Sequence, residues 1–192
     1  MNILILGGGA VGLGLARSLI TAGNDVTIID VEPTVSALKE KGIMQTGVLG
    51  EFTIQPGTFT VYDSLAKIGN VKIDYICVCI KSYLSETIAQ VLKQYEHIIG
   101  TCPIVLFQNG WGNAEQFIKY FEKDTIFNAR VMTGYIKPAL HRVDITVHAD
   151  AIHIGSLYGG DITQLLSLAS ELTKGGMPAE VTEHVSKDIW AK

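Results

Sequence analysis

The chain has 192 residues, 47% of them hydrophobic and 18% charged, with a formal net charge of −4. That length suits one domain able to bury a core without a disulfide or metal staple, and a charge fraction below the usual level of about 25% fits a parallel sheet covered on both faces. A net negative chain with no basic run argues against nucleic-acid binding by phosphate neutralisation, and the longest apolar runs are far too short to span a bilayer.

Residues 2–6 read as a first strand. Their apolar start lacks a basic flank, so they read as a buried strand and not as a signal peptide. Residues 11–21 predict a helix with small residues toward the sheet, and residues 26–29 a second strand. Pro33 can open a second helix over 34–41. This is the βαβ unit of a parallel sheet. Residues 43–54, with Gly47 and Gly50, predict a short hairpin. Residues 75–80 predict a core strand, and Ser82 is placed to cap a helix running to about Tyr95. A strand at 104–107 ends on Gln108-Asn109-Gly110-Trp111-Gly112, and a helix follows at 114–121. Further strands are expected at 126–129, 145–148, 151–154 and 179–182, with a helix at 162–174. Ser186 is placed to cap a last helix over 187–192. No repeat, low-complexity tract or linker interrupts the pattern.

The glycine turn carries the chemistry. Gly7-Gly8-Gly9-Ala10-Val11-Gly12 satisfies G-x-G-x-x-G between a strand and a helix, and Asp30 closes the next strand 18 positions after Gly12. That context is the full dinucleotide fingerprint, where a bare glycine-rich turn is the competing reading. Gly7 permits the tight turn, Gly9 lets the backbone approach a pyrophosphate, and Gly12 lets the helix lie close on the strand. The helix N-terminus then offers N–H groups and its positive dipole end to the phosphates. The fold class is therefore α/β: a Rossmann-type, doubly wound, mostly parallel sheet with helices on both faces. Asp30 is placed to accept hydrogen bonds from the adenosine ribose and to repel a 2′-phosphate. Val31-Glu32-Pro33 follow it with no arginine, so NAD(H) is the favoured cofactor.

Two further stretches lie at carboxyl ends of strands, where open α/β sheets bind ligands. Lys81 follows the strand 75–80 and can meet the cofactor ribose or a substrate carboxylate. Asn109 can donate and accept hydrogen bonds near the nicotinamide, with glycines leaving it room. Trp111 reads as packing. His97, His141, His148, His153 and His184 form no ligand cluster, so no metal site is expected. The three cysteines form no C-x-x-C, and Cys77 and Cys79 read as small buried residues in a reducing cytoplasm.

Four stretches together resemble the ketopantoate reductase (2-dehydropantoate 2-reductase) family. They are Leu6 to Gly12, Cys79-Ile80-Lys81, Gln108 to Gly112, and Asp188-Ile189-Trp190-Ala191-Lys192. Ile152-His153-Ile154-Gly155 also fits the family's late strand. The resemblance implies an oxidoreductase of pantothenate biosynthesis that moves hydride from a reduced nicotinamide to the keto carbon of a small 2-oxo acid. It matches Lys81 and Asn109 to residues lining the crevice and Lys192 to the family's proton-donating lysine. An ammonium there stabilises the alkoxide and then protonates it. Two departures stand out. Asp30-Val31 replaces the arginine that holds the 2′-phosphate of NADP(H), the cofactor the resemblance itself implies. The family's C-terminal helical domain, with its substrate-binding groups, is absent from these 192 residues. The chain is accordingly expected to be the cofactor-binding domain of such an enzyme, cytoplasmic, with little activity alone. Apolar surface facing the absent domain makes a homodimer a candidate assembly. The alternative from a different class is a non-catalytic NAD(H)-sensing module.

Overall fold

The computed structural model describes residues 1–191. The chain opens with β1 (Asn2–Leu6), α1 (Ala10–Thr21), β2 (Asp25–Ile29) and α2 (Thr34–Lys41). Next come β3 (Ile43–Gly47), β4 (Phe52–Ile54), β5 (Thr60–Tyr62) and β6 (Tyr75–Val78). The middle holds α3 (Ser85–Gln94), α4 (Glu96–Ile99), β7 (Ile104–Leu106), α5 (Asn113–Phe117) and β8 (Ile126–Arg130). The chain continues through β9 (Thr133–Ala139), β10 (Arg142–His148), β11 (Ile152–Gly155), α6 (Leu166–Lys174), β12 (Ala179–Val181) and α7 (Val185–Trp190).

Eight strands form one sheet in the order β12-β11-β8-β7-β6-β1-β2-β5. Every pair is parallel except β11 with β8. Strand order turns at β1, which has β2 on one side and β6 on the other. A ligand crevice belongs outside the carboxyl ends at that point. Alternation along β1 serves two cores. Ile3 and Ile5 pack with Leu13, Leu15 and Leu19 of α1 and Leu168 and Leu172 of α6. Leu4 and Leu6 pack with Ala89 and Leu92 of α3 and Phe117 of α5. All four β1 side chains are fully buried, each contributing about 1.5–3 kcal/mol relative to exposure.

Helices thus cover both faces, as expected, but a second sheet was not foreseen. Its order is β4-β3-β10-β9. The expected hairpin is its β3–β4 edge, pairing Ile43 with Ile54 and Gln45 with Phe52. The second sheet packs on the outer side of α1, so α1 is buried almost all round, Arg17 included. Arg17 Nε donates to Gln45 Oε1 at 2.8 Å, Nη1 donates to the Gly175 carbonyl, and the guanidinium lies 4.2 Å from the Phe52 ring centroid. Burial lowers its pKa to about 10. Small residues on α1 serve both neighbours: a Cβ on Gly14 would stand 2.9 Å from Tyr135 of β9.

Two caps differ from expectation. Ser82 begins a 3-10 turn (Ser82–Leu84), and α3 starts at Ser85, whose hydroxyl donates to the Ser82 carbonyl at 2.7 Å. The last helix starts at Val185 with His184 at its N-cap, so Ser186 lies inside it. No helix among the described residues is long and apolar enough to cross a membrane.

Candidate functional site

The glycine turn is pinned from both sides. Gly7, at φ +101°, donates to the Ile29 carbonyl at 2.8 Å. Only glycine enters that left-handed region without strain. Gly8 N–H donates to Asp30 Oδ2 at 2.7 Å, and Val31 N–H donates to Asp30 Oδ1 at 2.7 Å. Asp30 therefore shapes the turn as well as facing the crevice. Gly9 caps α1 with extended backbone, and no side chain caps this helix or puts an acid in its first turn. The first-turn N–H groups accordingly offer their hydrogen bonds to a ligand.

Two cavities flank the turn. One, of about 370 Å³, is lined by Gly7, Asp30, Val31, Leu84, Ile88 and Tyr95 among others. The other, of about 310 Å³, is lined by Gly9, Ala10, Val11, Lys81, Asn109 and Tyr135 among others. The structure thus brings Gly9, Ala10, Val11, Lys81 and Asn109 to one cavity. A Cβ on Gly9 would find only the Cys79 carbonyl, 4.0 Å away. That open cradle fits a dinucleotide whose phosphates need close backbone approach. A larger groove of about 540 Å³ near Met1 and Lys174 lies by the amino end of β1, away from the carboxyl ends.

Lys81 and Asn109 share a cavity because a buried polar network ties their loops. Gln108 Nε2 donates to the Ile80 carbonyl at 3.2 Å and to Ser85 Oγ at 2.9 Å. Asn113 Oδ1 lies 2.9 Å from Ser85 Oγ, and Asn113 Nδ2 donates to the carbonyls of Asn109 and Gly110, each at 3.2 Å. Gln108 Oε1 is buried without a partner among the described residues. Sequence reasoning named Asn109 and passed over Gln108 and Asn113, although all three stand in one Gln-Asn-Gly-Trp-Gly-Asn run.

The second sheet adds groups that the sequence did not mark. Thr133 and Tyr135 line the Asn109 cavity, and burial pushes the Tyr135 phenol up. Lys137 Nζ donates to the Gly8 carbonyl at 2.7 Å. Near the end of the chain, Ile189 and Trp190 line a third cavity, of about 310 Å³, with Gln108, Asn109, Trp111 and Arg130. The end of α7 therefore adjoins the Asn109 loop. Lys192, the expected proton donor, lies outside the described residues.

This geometry coincides with a family match: the family described as ketopantoate reductase PanE/ApbA covers residues 3–159. The chain belongs to the ketopantoate reductase family. Among relatives, the 2-dehydropantoate 2-reductase of Aquifex aeolicus is 30% identical over 191 residues, covering 97% of this chain and 57% of that protein. The 2-dehydropantoate 2-reductase of Pyrococcus abyssi is 28% identical, covering 100% of this chain and 60% of that protein. The chain thus spans less than two thirds of the length of these ketopantoate reductase relatives. The same fold occurs in the 2-dehydropantoate 2-reductase structure from Geobacter metallireducens, with a TM-score of 0.85, 21% identity and coverage of 99% of this chain and 60% of that one. It occurs also in D-mandelate dehydrogenase with NADH and anilino(oxo)acetate, with a TM-score of 0.82, 20% identity and coverage of 99% and 59%.

Proposed function

We propose that residues 1–192 form the nicotinamide-nucleotide-binding domain of an oxidoreductase reducing a small 2-oxo acid, 2-dehydropantoate by its family. The observation that carries this reading is the crevice itself: the glycine turn, Lys81 and Asn109 line one cavity at the point where strand order turns. The family match favours this reading over a non-catalytic sensor. The substrate groups of a C-terminal helical domain belong to the whole enzyme in this reading. A cytoplasmic homodimer with no nucleic-acid or membrane partner completes it.

The residues divide the tasks by position. Gly7 to Gly12 and the first turn of α1 hold the pyrophosphate. Asp30 already accepts from two backbone N–H groups, and its carboxylate oxygens retain lone pairs for ribose hydroxyls. With Val31 in place of an arginine, the site prefers NADH to NADPH. Lys81 and Asn109 orient the ribose, nicotinamide and substrate end. When bound, the reduced nicotinamide supplies the hydride. Lys192 stabilises the developing alkoxide and protonates it.

Titration with NADH and NADPH, followed by loss of nicotinamide absorbance with 2-dehydropantoate and other 2-oxo acids, tests the proposal. Micromolar NADH binding and turnover by the natural full-length protein are the expected results. A protein that binds neither cofactor overturns the reading.

A further inference from the structure

Strand β9 runs along the crevice. Thr133 and Tyr135 stand two apart on one face of it, and Lys137 follows on the same strand where its pairing with β10 shifts register. Thr133 and Tyr135 line the Asn109 cavity, and Lys137 reaches the Gly8 carbonyl at 2.7 Å. Gly8 lies between Gly7, which lines the Asp30 cavity, and Gly9, which lines the Asn109 cavity. A dinucleotide occupying both cavities must pass this point with its phosphates. Lys137 thus stands over the stretch of the cofactor that carries negative charge.

The surroundings of Lys137 leave it able to take an anion. The side chain is half-buried, and no carboxylate among the described residues makes an ion pair with it. An ammonium has three donors, and its one hydrogen bond among the described residues is to Gly8. Desolvation lowers its pKa, with the charge of Asp30 partly restoring it. An ammonium held at the turn by one neutral acceptor, with Asp30 nearby, keeps further donors able to reach a phosphate lying on the turn. We propose that Lys137, supplied by the second sheet, is a phosphate-binding residue of the dinucleotide site. It offsets the charge of Asp30 and takes either the bridging pyrophosphate or a 2′-phosphate. The assignment rests on the cofactor reading above and adds a residue outside the glycine fingerprint.

The test measures NADH, NADPH and adenosine binding to the wild-type chain and to Lys137→Met, Lys137→Gln and Lys137→Arg, with adenosine read by competition. The expected result is that Lys137→Met and Lys137→Gln weaken dinucleotide binding about ten-fold, that adenosine binding moves less than about two-fold, and that Lys137→Arg recovers most of the loss, since charge-assisted contacts to phosphate are the strong ones. Added salt narrows the difference between wild type and Lys137→Met, because an ionic contact that still meets solvent is screened in part. A loss larger for NADPH than for NADH assigns the contact to the 2′-phosphate, and an equal loss assigns it to the pyrophosphate. Dinucleotide affinities within two-fold of wild type overturn the proposal. So does an adenosine loss as large as the dinucleotide loss, which would make Lys137 a clip on the turn. A wild-type chain that binds neither dinucleotide overturns the cofactor reading and this inference with it, and that outcome is visible before any variant is made.

Discussion

A Cβ on Gly12 would stand 1.9 Å from the carbonyl oxygen of Gly7. The first turn of α1 therefore rests directly on the backbone of the turn that precedes it. The obstacle is main chain, which cannot swing aside as a side-chain tip can. Gly12→Ala must lift the helix or bend the turn. Overpacking of this kind costs about 1–3 kcal/mol. At roughly 2–4 °C per kcal/mol for a chain of this size, we expect a fall in Tm of up to about 12 °C. Thermal unfolding checks it. A fall below about 2 °C would mean that the turn relaxes freely and that the helix is not locked to it.

Gly9 makes the opposite prediction three residues earlier. Its missing Cβ would meet only the Cys79 carbonyl at 4.0 Å, and its backbone is in the ordinary extended region. Gly9→Val should therefore fold with nearly unchanged stability. It should lose cofactor binding by at least ten-fold, because the side chain projects into the cradle. Circular dichroism and NADH titration on one sample decide the matter. A folded Gly9→Val chain with wild-type affinity removes the cofactor from this turn.

Asp30 braces the turn by accepting from the Gly8 and Val31 N–H groups, and in the proposed reading it also repels a 2′-phosphate; two substitutions separate these roles. Asp30→Ala should narrow the proposed preference for NADH over NADPH, because the charge proposed to repel a 2′-phosphate is gone. It should also destabilise the chain by about 1–3 kcal/mol, because the buried Gly8 N–H loses its acceptor. Asp30→Asn keeps one accepting oxygen and should narrow the preference at a smaller stability cost. An unchanged cofactor ratio in both variants would leave Asp30 as a brace of the turn and nothing more.

Asp30 marks how far the sequence could be read. Glycine spacing and the acid after β2 were legible because they follow from covalent neighbours and strand length. The bond from Gly8 to Asp30 depends on how the turn folds back, and no local pattern encodes it. Strand β9 was missed for a physical reason. Gly134 and Pro138 fall within it, and both weaken a strand reading. The strand survives as the outer edge of the second sheet, where the N–H that proline lacks is not needed. Strand β5 is three residues at the other sheet's edge, too short to show a period. With β9 unseen, Tyr135 and Lys137 had no reason to be placed beside the glycine turn. Gln108 and Asn113 escaped because their task is to hold two loops together across 28 positions of sequence, from Ser85 to Asn113.

The last prediction concerns α7, which brings Trp190 to within 5.0 Å of Trp111, centroid to centroid. These are the chain's two tryptophans. A helix of six residues does not stand alone, so its place depends on what it touches. The His153 ring is the clasp. Its Nδ1 lies 2.9 Å from Asp188 Oδ2 on α7, and its Nε2 lies 2.9 Å from Glu180 Oε1 on β12. Both side chains of the α7 contact are mostly shielded, at 16% and 23% exposure. A hydrogen bond to a charged group in such a setting is worth about 1.5–3 kcal/mol, or at least about ten-fold in a local opening equilibrium. His153→Ala should therefore speed hydrogen exchange of the Asp188 and Ala191 amides, which bond to the His184 and Lys187 carbonyls, by about ten-fold. The near-ultraviolet signal of the paired indoles should fall while far-ultraviolet helicity holds. Trp111→Phe should remove the same optical signal without changing the exchange rates, which separates the clasp from the ring contact. If exchange in His153→Ala matches wild type, packing of Val185 against Gly155 holds the helix by itself, and the imidazole is not what positions Trp190 beside the Asn109 loop.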